Sequence, residues 1–515
     1  VLSHLHQMID LWLPLTGLIL LTWILAAYRW NRRQNKGPTP WPLFGSSLEV
    51  LRNYDQLYDW LTKYLRNDKT MHVQFAFITY TFTADPINVE HVLKNNFANY
   101  PKGEVFRSMA DELLGDGIFN VDGKQWKIQR KTASVEFSRR NLREFSANVF
   151  RDDSLKLCSI LVEYSQQFEE ADMQDLLMRM TLDSICKLGF GVELNTLDPK
   201  LPHNPFASAF DRANEIWAYR FADPLWKLKK FFKLGSEADM RRCIEVIDNF
   251  SYSITQKRKL EFDAITLKED NKAKEDLLSR FTKLCTDPDQ RLTNKNLRDI
   301  VINFVIAGRD TTAITLSWAM CMLATHSHVA DRLFDEVKSL EMGVEINNDT
   351  VSERLKIFSK LLTYESLERL QYLHAFVSET LRLYPAVPTD FKGIVKDDVL
   401  PDGTKVKAGN MIVYVPYAMG RMEYNWGADA TSFNPERWLR NGVFQEASPF
   451  KFSTFQAGPR TCLGKDSAYL QMKITLALLC RIFKFRLVQN NPAAYTVAVV
   501  LRMKNGIKLN VTVRE

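Results

Sequence analysis

The chain has 515 residues, 46% of them hydrophobic and 25% charged, a balance that supports a large buried core and excludes wholesale disorder. Its formal net charge of +7 is small for the length and is not gathered into a basic tail, which argues against a nucleic-acid binder that works by neutralising phosphates. Seven cysteines, widely spaced and without a CxxC pair, indicate neither a disulfide framework nor a zinc site and suit a reducing compartment.

At the N-terminus, residues 1–10 carry no Lys or Arg, and Leu11 to Tyr28 is an uncharged apolar stretch. Its length approaches the ~20 residues that cross a bilayer core as a helix. Arg29, Arg32, Arg33 and Lys36 follow it, so the positive-inside bias predicts a transmembrane anchor over 11–28, a short lumenal N-terminus and a cytosolic remainder. A cleaved secretory signal needs its basic cluster on the other side of the apolar run. The prolines of Gly37-Pro38-Thr39-Pro40-Trp41-Pro42 interrupt helix and predict a stiff hinge over 29–45.

Residues 46–515 show no repeat and no low-complexity run, and read as one domain. Strand-like alternation is short, at Met71–Phe82 and Met411–Val415. Trp126 and Arg130 stand four apart on one predicted helix face. Phe206–Phe232 mixes aromatics with Lys227, Lys229 and Lys230, a composition suited either to a membrane surface or to core packing. Gln256–Asp276 carries charges of both signs and reads as a solvated connection or exposed helix.

Three longer helical patterns follow, at Asp299–Thr325, Ser366–Leu383 and Gly464–Phe483. The first contains Ala307-Gly308-Arg309-Asp310-Thr311-Thr312, where glycine costs about 1 kcal/mol relative to alanine and so calls for a compensating use. The second contains Glu379 and Arg382, opposite charges three apart on one face. The third is entered from Phe455-Gln456-Ala457-Gly458-Pro459-Arg460-Thr461-Cys462-Leu463-Gly464. In that loop the glycines allow a tight turn, and the following helix start and Arg460 favour thiolate over thiol at Cys462. One thiolate cannot build a four-coordinate zinc site, whereas a haem iron takes a single protein ligand on its proximal side.

On this loop, at all five fixed positions of its haem-binding motif, the chain resembles the cytochrome P-450 superfamily, and the resemblance extends over essentially the whole length. It implies a mainly α, triangular helical fold with a small β region, haem b (iron protoporphyrin IX), and Cys462 as the metal ligand. It also implies that Phe455, Gly458, Ala307 and Gly308 contact the haem, while Trp126, Arg130 and Arg460 meet its propionates. Asp310 and Thr311 become an acid and alcohol pair that relays protons. Glu379, Arg382 and the Arg437 of Pro435-Glu436-Arg437-Trp438 become a buried structural network.

Within the superfamily, Lys465-Asp466-Ser467-Ala468-Tyr469, Pro401-Asp402-Gly403-Thr404 and Tyr417-Ala418-Met419-Gly420-Arg421 resemble the plant long-chain fatty acid ω-hydroxylases that supply pollen and spore walls. Thr389-Asp390-Phe391 departs from the Gln-Asp expected there. Terminal hydroxylation requires a narrow apolar channel, for which Phe119, Ala307, Val387 and Thr389 are candidates. With no GxGxxG or P-loop pattern in the chain, electrons are expected from NADPH through a partner flavoprotein reductase, and O2 is the co-substrate. Lys127, Lys131, Arg139 and Arg140 are candidates for its docking surface, at the endoplasmic reticulum membrane with the catalytic domain facing the cytosol. In-chain hydroxylation, or a sterol or terpenoid substrate, is the nearer alternative. A non-oxygenating thiolate-haem electron carrier or sensor is the alternative of a different class, but the Gly308, Asp310 and Thr311 set suggests an open, proton-supplied distal face.

Overall fold

The computed structural model describes residues 12, 15–26, 37–41, 45–75, 78–198, 204–267, 276–285, 292–343, 350–488 and 494–514. The expected lumenal segment 1–10, both flanks of the expected anchor and most of the expected hinge lie outside those residues. Inside the anchor, Leu15–Ala26 is an apolar helix, shorter than a bilayer span, and Leu18, Ile19, Leu20 and Trp23 are each more than half exposed. Among the described residues, the helix long and apolar enough to cross a membrane is Asn294–Thr325, and it is interior, with 83% of its apolar window buried.

Helices dominate, and the sheets are small. The alternation at 71–82 resolves into a hairpin, Thr70–Phe75 and Ile78–Thr83, with Thr70 opposite Thr83. Strand Met411–Tyr414 runs parallel to the second arm, Tyr80 opposite Met411. Asp390–Gly393 closes the far edge antiparallel, in a register that sets Asp390 opposite Tyr414. That register puts the two side chains on one face, where the Tyr414 hydroxyl donates to Asp390 at 2.7 Å.

The central helix starts earlier than its apolar pattern, at Asn294, because Thr293 and Asn296 form a reciprocal cap. It runs to Val305, widens into a single π turn at Ile306–Asp310 and continues as Thr311–Thr325. Trp318, fully buried, stacks on Tyr384 at 4.0 Å and donates to the Leu501 carbonyl at 2.8 Å, which ties the chain terminus to the core.

The pattern at 366–383 predicts one helix, whereas the structure holds two, Tyr364–Arg369 and Gln371–Leu383. The break at Leu370 is stabilised from another helix: the Glu336 carboxylate accepts from the Tyr372 and Leu373 amides at 2.7 and 2.8 Å and so caps the new N-terminus. The last apolar helix is Lys465–Ile482. The polar stretch begins inside the helix Ser236–Leu267 and ends at Asp276, which caps Leu277–Lys283 through the Ser279 amide. Its positions 268–275 lie outside the described residues.

The aromatic stretch 206–232 divides between two helices and two uses. Trp217, on Pro205–Arg220, and Trp226, which opens Trp226–Phe232, are buried, while Phe231 and Phe232 at the end of the second are exposed.

Candidate active site

The cysteine loop and the central helix bound one cavity of about 280 Å³. A second cavity, of about 190 Å³, meets it at Phe119, Ala307, Thr311 and Val387. The first brings together Trp126, Arg130, Phe455, Arg460, Cys462, Gly308 and those four residues, and Thr389 lines the second. Gly458, Asp310, Glu379, Arg382 and Arg437 are not on either wall.

The loop holds its sulfur by backbone geometry. Gly458 has φ of +64°, and a Cβ there would lie 2.1 Å from the Leu93 carbonyl oxygen, so only glycine fits both demands. The Cys462 amide donates to Phe455 O at 2.8 Å and the Thr461 hydroxyl to Gly458 O at 2.7 Å, closing the turn. Cys462 has free surface, which faces the cavity, and burial pushes its thiol above the ordinary range. The Gly464 and Lys465 amides at the helix start, together with Arg130, pull in the opposite direction.

Arg460 does not act on the sulfur as the sequence suggests. Its guanidinium donates to Val121 O at 2.9 Å and to Asp122 at 2.5 Å and lies over the Trp126 ring at 4.7 Å. Arg130 takes the place nearer the thiol and donates to Thr461 O at 2.7 Å.

On the central helix, the Thr311 hydroxyl donates to Ala307 O at 2.6 Å across the π turn, capturing a carbonyl as such hydroxyls do and widening the helix at the cavity wall. Gly308 departs from expectation: a Cβ there would meet the Ile185 side chain at 2.7 Å, so its small size serves the packing of helix Met173–Phe190 as well as the cavity. Asp310 departs further. Its carboxylate accepts from Arg309 at 2.8 Å, and Arg309 also holds Asp211 at 2.8 Å, which pairs in turn with Arg502 at 2.7 Å. Thr311 therefore stands on the wall while Asp310 sits in a buried charged cluster behind it, and no direct bond joins them among the described contacts.

A basic wall, which the sequence reading did not find, completes the first cavity. Lys102 donates to Asp390 at 2.6 Å. Lys392, 1% exposed, lies 3.1 Å from Asp390 but outside hydrogen-bonding geometry, so its Nζ has no hydrogen-bond partner, and neither does Arg460 Nε. Burial, first, and then the neighbouring Lys102 and Arg460 lower the Lys392 ammonium to about 7, against the pull of Asp390. Lys102, Arg130 and Arg460 thus face only Asp390 and Asp122, an excess of one positive charge that becomes two when Lys392 is protonated. Glu136, also on the cavity, has Arg280 at 3.8 Å. Two carboxylates of a haem, with the iron toward Cys462, fit that excess and the orphaned donors. Lys392→Met is expected to raise the rate at which haem is lost to a scavenging globin by roughly tenfold to hundredfold, from the ~1.5–3 kcal/mol of a hydrogen bond to a charged group. An unchanged rate would remove Lys392 from this role.

Away from the cavities, Glu379 and Arg382 are both buried and joined by two bonds of 2.7 Å. Glu379 also accepts from the Asn434 amide at 2.8 Å, Trp438 Nε1 at 2.9 Å and Arg437 Nε at 3.4 Å. Arg382 bonds the carbonyls of Gly420, Ala430 and Ser432, and Arg437 extends the set to Asp429 at 2.8 Å.

The family model described as Cytochrome P450 matches residues 36–511. The chain is 54% identical to Cytochrome P450 704B1 of Arabidopsis thaliana over 96% of its own length and 98% of that protein. It is 45% identical to Cytochrome P450 704C1 of Pinus taeda, covering 96% and 95% of the two chains, and 37% identical to Cytochrome P450 86B1 of Arabidopsis thaliana, covering 96% and 89%.

Proposed function

The chain belongs to the cytochrome P450 family, and from that membership we propose that it hydroxylates long-chain fatty acids, at the terminal methyl, in the second cavity. The family's enzymes are monooxygenases that carry haem b, consume O2, act on lipophilic substrates and take electrons from NADPH through a redox partner. Haem held at Cys462 supplies the oxygen activation that inserts one oxygen atom into a C–H bond.

The chain's own residues do the rest. Cys462 would hold the iron, and Arg130, Arg460, Lys392 and Trp126 would hold the propionate edge. Thr311 keeps a hydroxyl proton at the cavity wall, and Asp310 is the buried acid from which it is replenished when the Arg309 pair opens. The observation that carries the substrate reading is the second cavity itself. It is walled by Phe106, Phe221, Phe391 and Val500 and reaches Ala307 and Thr311, so an alkyl chain lying in it presents its end to the reaction centre. Phe119, Val387 and Thr389 stand where the cavities meet or beside that point and limit which carbon is offered. The use implied is the supply of ω-hydroxy acids for pollen and spore walls.

The test is co-expression with a plant reductase, feeding of C12 to C18 fatty acids and location of the new hydroxyl by mass spectrometry. The expected product is the ω-hydroxy acid, and Val387→Phe should lower its yield or move the hydroxyl. In-chain products alone from the unaltered enzyme, or no oxygenated fatty acid, would overturn the reading.

The membrane placement rests on two features. The apolar helix Leu15–Ala26 precedes the basic cluster at 29–36, and Leu225, Leu228, Phe231, Phe232 and Leu234 are exposed among Lys227, Lys229, Lys230 and Lys233. Both suit a single-pass anchor in the endoplasmic reticulum, with the catalytic part resting on its cytosolic face. Lys127, Lys131, Arg139 and Arg140 are all exposed, on and just after the helix that carries Trp126, and form the docking surface for the reductase. Lys127→Glu with Lys131→Glu should cut reductase-supported turnover several-fold at low ionic strength, with the difference narrowing as salt rises. A salt-independent or unchanged rate would exclude this face.

A further inference from the structure

Behind the cavity wall, one guanidinium nitrogen serves two carboxylates. Arg309 Nη1 donates to Asp310 Oδ1 and to Asp211 Oδ1, each at 2.8 Å. The two acceptor oxygens are therefore no further apart than twice that distance, although they come from different elements, Asp310 from the π turn of the central helix and Asp211 from helix Pro205–Arg220. Arg502, on the terminal segment, pairs with the other oxygen of Asp211 at 2.7 Å. Exposure rises along this chain of charges. The Asp310 and Arg309 side chains are 2% exposed, Asp211 19% and Arg502 34%, so it runs from the residue beside Thr311 toward solvent.

Two carboxylates on one arginine nitrogen compete for its charge. Whatever share of Arg309 goes to Asp211 is lost to Asp310, which is the more deeply buried of the two and the costlier to leave ionised. Arg502 works the other way, because it neutralises Asp211 and adds its own positive potential. The electrostatic directions at Asp310 follow this geometry: burial raises its carboxyl most, Arg309 opposes, Asp211 raises it further and Arg502 lowers it. From helix Met173–Phe190, the Cys186 thiol lies close enough to feel Arg309, but burial and Asp183 keep it uncharged. Arg212, next to Asp211 in the chain, is paired with Glu215 and Asp239.

We propose that Asp211 and Arg502 are positioning residues for the proton supply: Asp211 draws Arg309 off Asp310 and so keeps a proton on it near neutral pH, and Arg502 limits that effect. The inference rests on the reading of Asp310 as the buried acid. Neither Asp211 nor Arg502 lines either cavity, and both act only through Arg309 and Asp310.

The experiment is an infrared pH titration of the haem-loaded enzyme, following the carboxylic acid band that Asp310→Asn removes, together with the pH profile of turnover. Asp211→Asn leaves Arg309 paired with Asp310, so no buried charge is orphaned, and it should move both midpoints down by roughly one pH unit or more. Above the midpoint its turnover should then be up to about tenfold slower. Arg502→Gln should move both midpoints up, and Asp211→Glu, which keeps the charge, should restore the unaltered value. Midpoints that stay fixed, including the case of slower turnover at every pH that a merely structural role would give, overturn the proposal while Asp310 keeps its part. So do midpoints that move the same way in Asp211→Asn and Arg502→Gln. A spectrum with no titrating band that depends on Asp310 overturns both.

Discussion

Glu379→Gln should destabilise the fold by about 3–5 kcal/mol and sharply lower the recovery of haem-loaded protein. The substitution keeps the side chain's size but replaces the carboxylate that accepts both Arg382 bonds, the Asn434 amide, the Trp438 indole and Arg437. An amide can satisfy only part of that set, and the Arg382 charge remains buried without its counter-ion. Breaking one side of a buried pair costs about 3–5 kcal/mol, a large share of the ~5–15 kcal/mol that holds a domain folded. The damage reaches the sulfur through the chain itself, because Arg382 clamps the carbonyls of Gly420, Ala430 and Ser432, and the Thr454 hydroxyl, on the approach to the cysteine loop, bonds Leu381 O. The check is haem content and thermal unfolding of the purified variant. A loss under about 1 kcal/mol, the level of an exposed pair, would mean that the network is not what braces the loop.

Asp310→Asn should reduce product formation about a hundredfold, the usual scale of a lost proton donor, with far less effect on substrate binding. Burial raises the Asp310 carboxyl to about 7, against Arg309 and with the help of Asp211, so near neutral pH it is both able to give a proton and able to regain one. The rate should therefore fall as pH rises above about 7, and this limb should be absent from the variant. Stability has the same sign. The folded state holds this proton more tightly than the unfolded chain, so the contribution is complete below about pH 4, near the ordinary Asp value, and is lost as pH rises through about 7. The variant should flatten that window. Turnover within about threefold of the unaltered enzyme, with an unchanged pH profile, would take Asp310 out of the proton path and leave it as a partner of Arg309.

What could be read without the structure was whatever lies within one short segment. The Phe455–Gly464 loop, the Ala307–Thr312 run and the Glu379–Arg382 spacing carry their meaning in local order, and the cavity gathers Cys462, Phe455, Ala307 and Thr311 on its walls. Features assembled from distant segments were not legible. Lys102, Asp390, Lys392, Tyr414 and Gln456 meet only because strand Asp390–Gly393 pairs with Met411–Tyr414 beside the loop; Thr389-Asp390-Phe391 read merely as a departure from a clan motif. A charge's direction was equally hidden. Arg460 is next to Cys462 but one in the chain and turns to Asp122, while Arg130, more than three hundred positions away, lies against the loop.

The central claim is a bond between the Cys462 sulfur and haem iron, and the optical spectrum of the reduced, carbon monoxide-treated enzyme tests it most directly. The unaltered chain should give the long-wavelength band of a thiolate-ligated haem, and Cys462→Ser should lose it even where haem is retained. A purified, haem-loaded wild type without that band, or a Cys462→Ser variant that keeps it, would contradict the account.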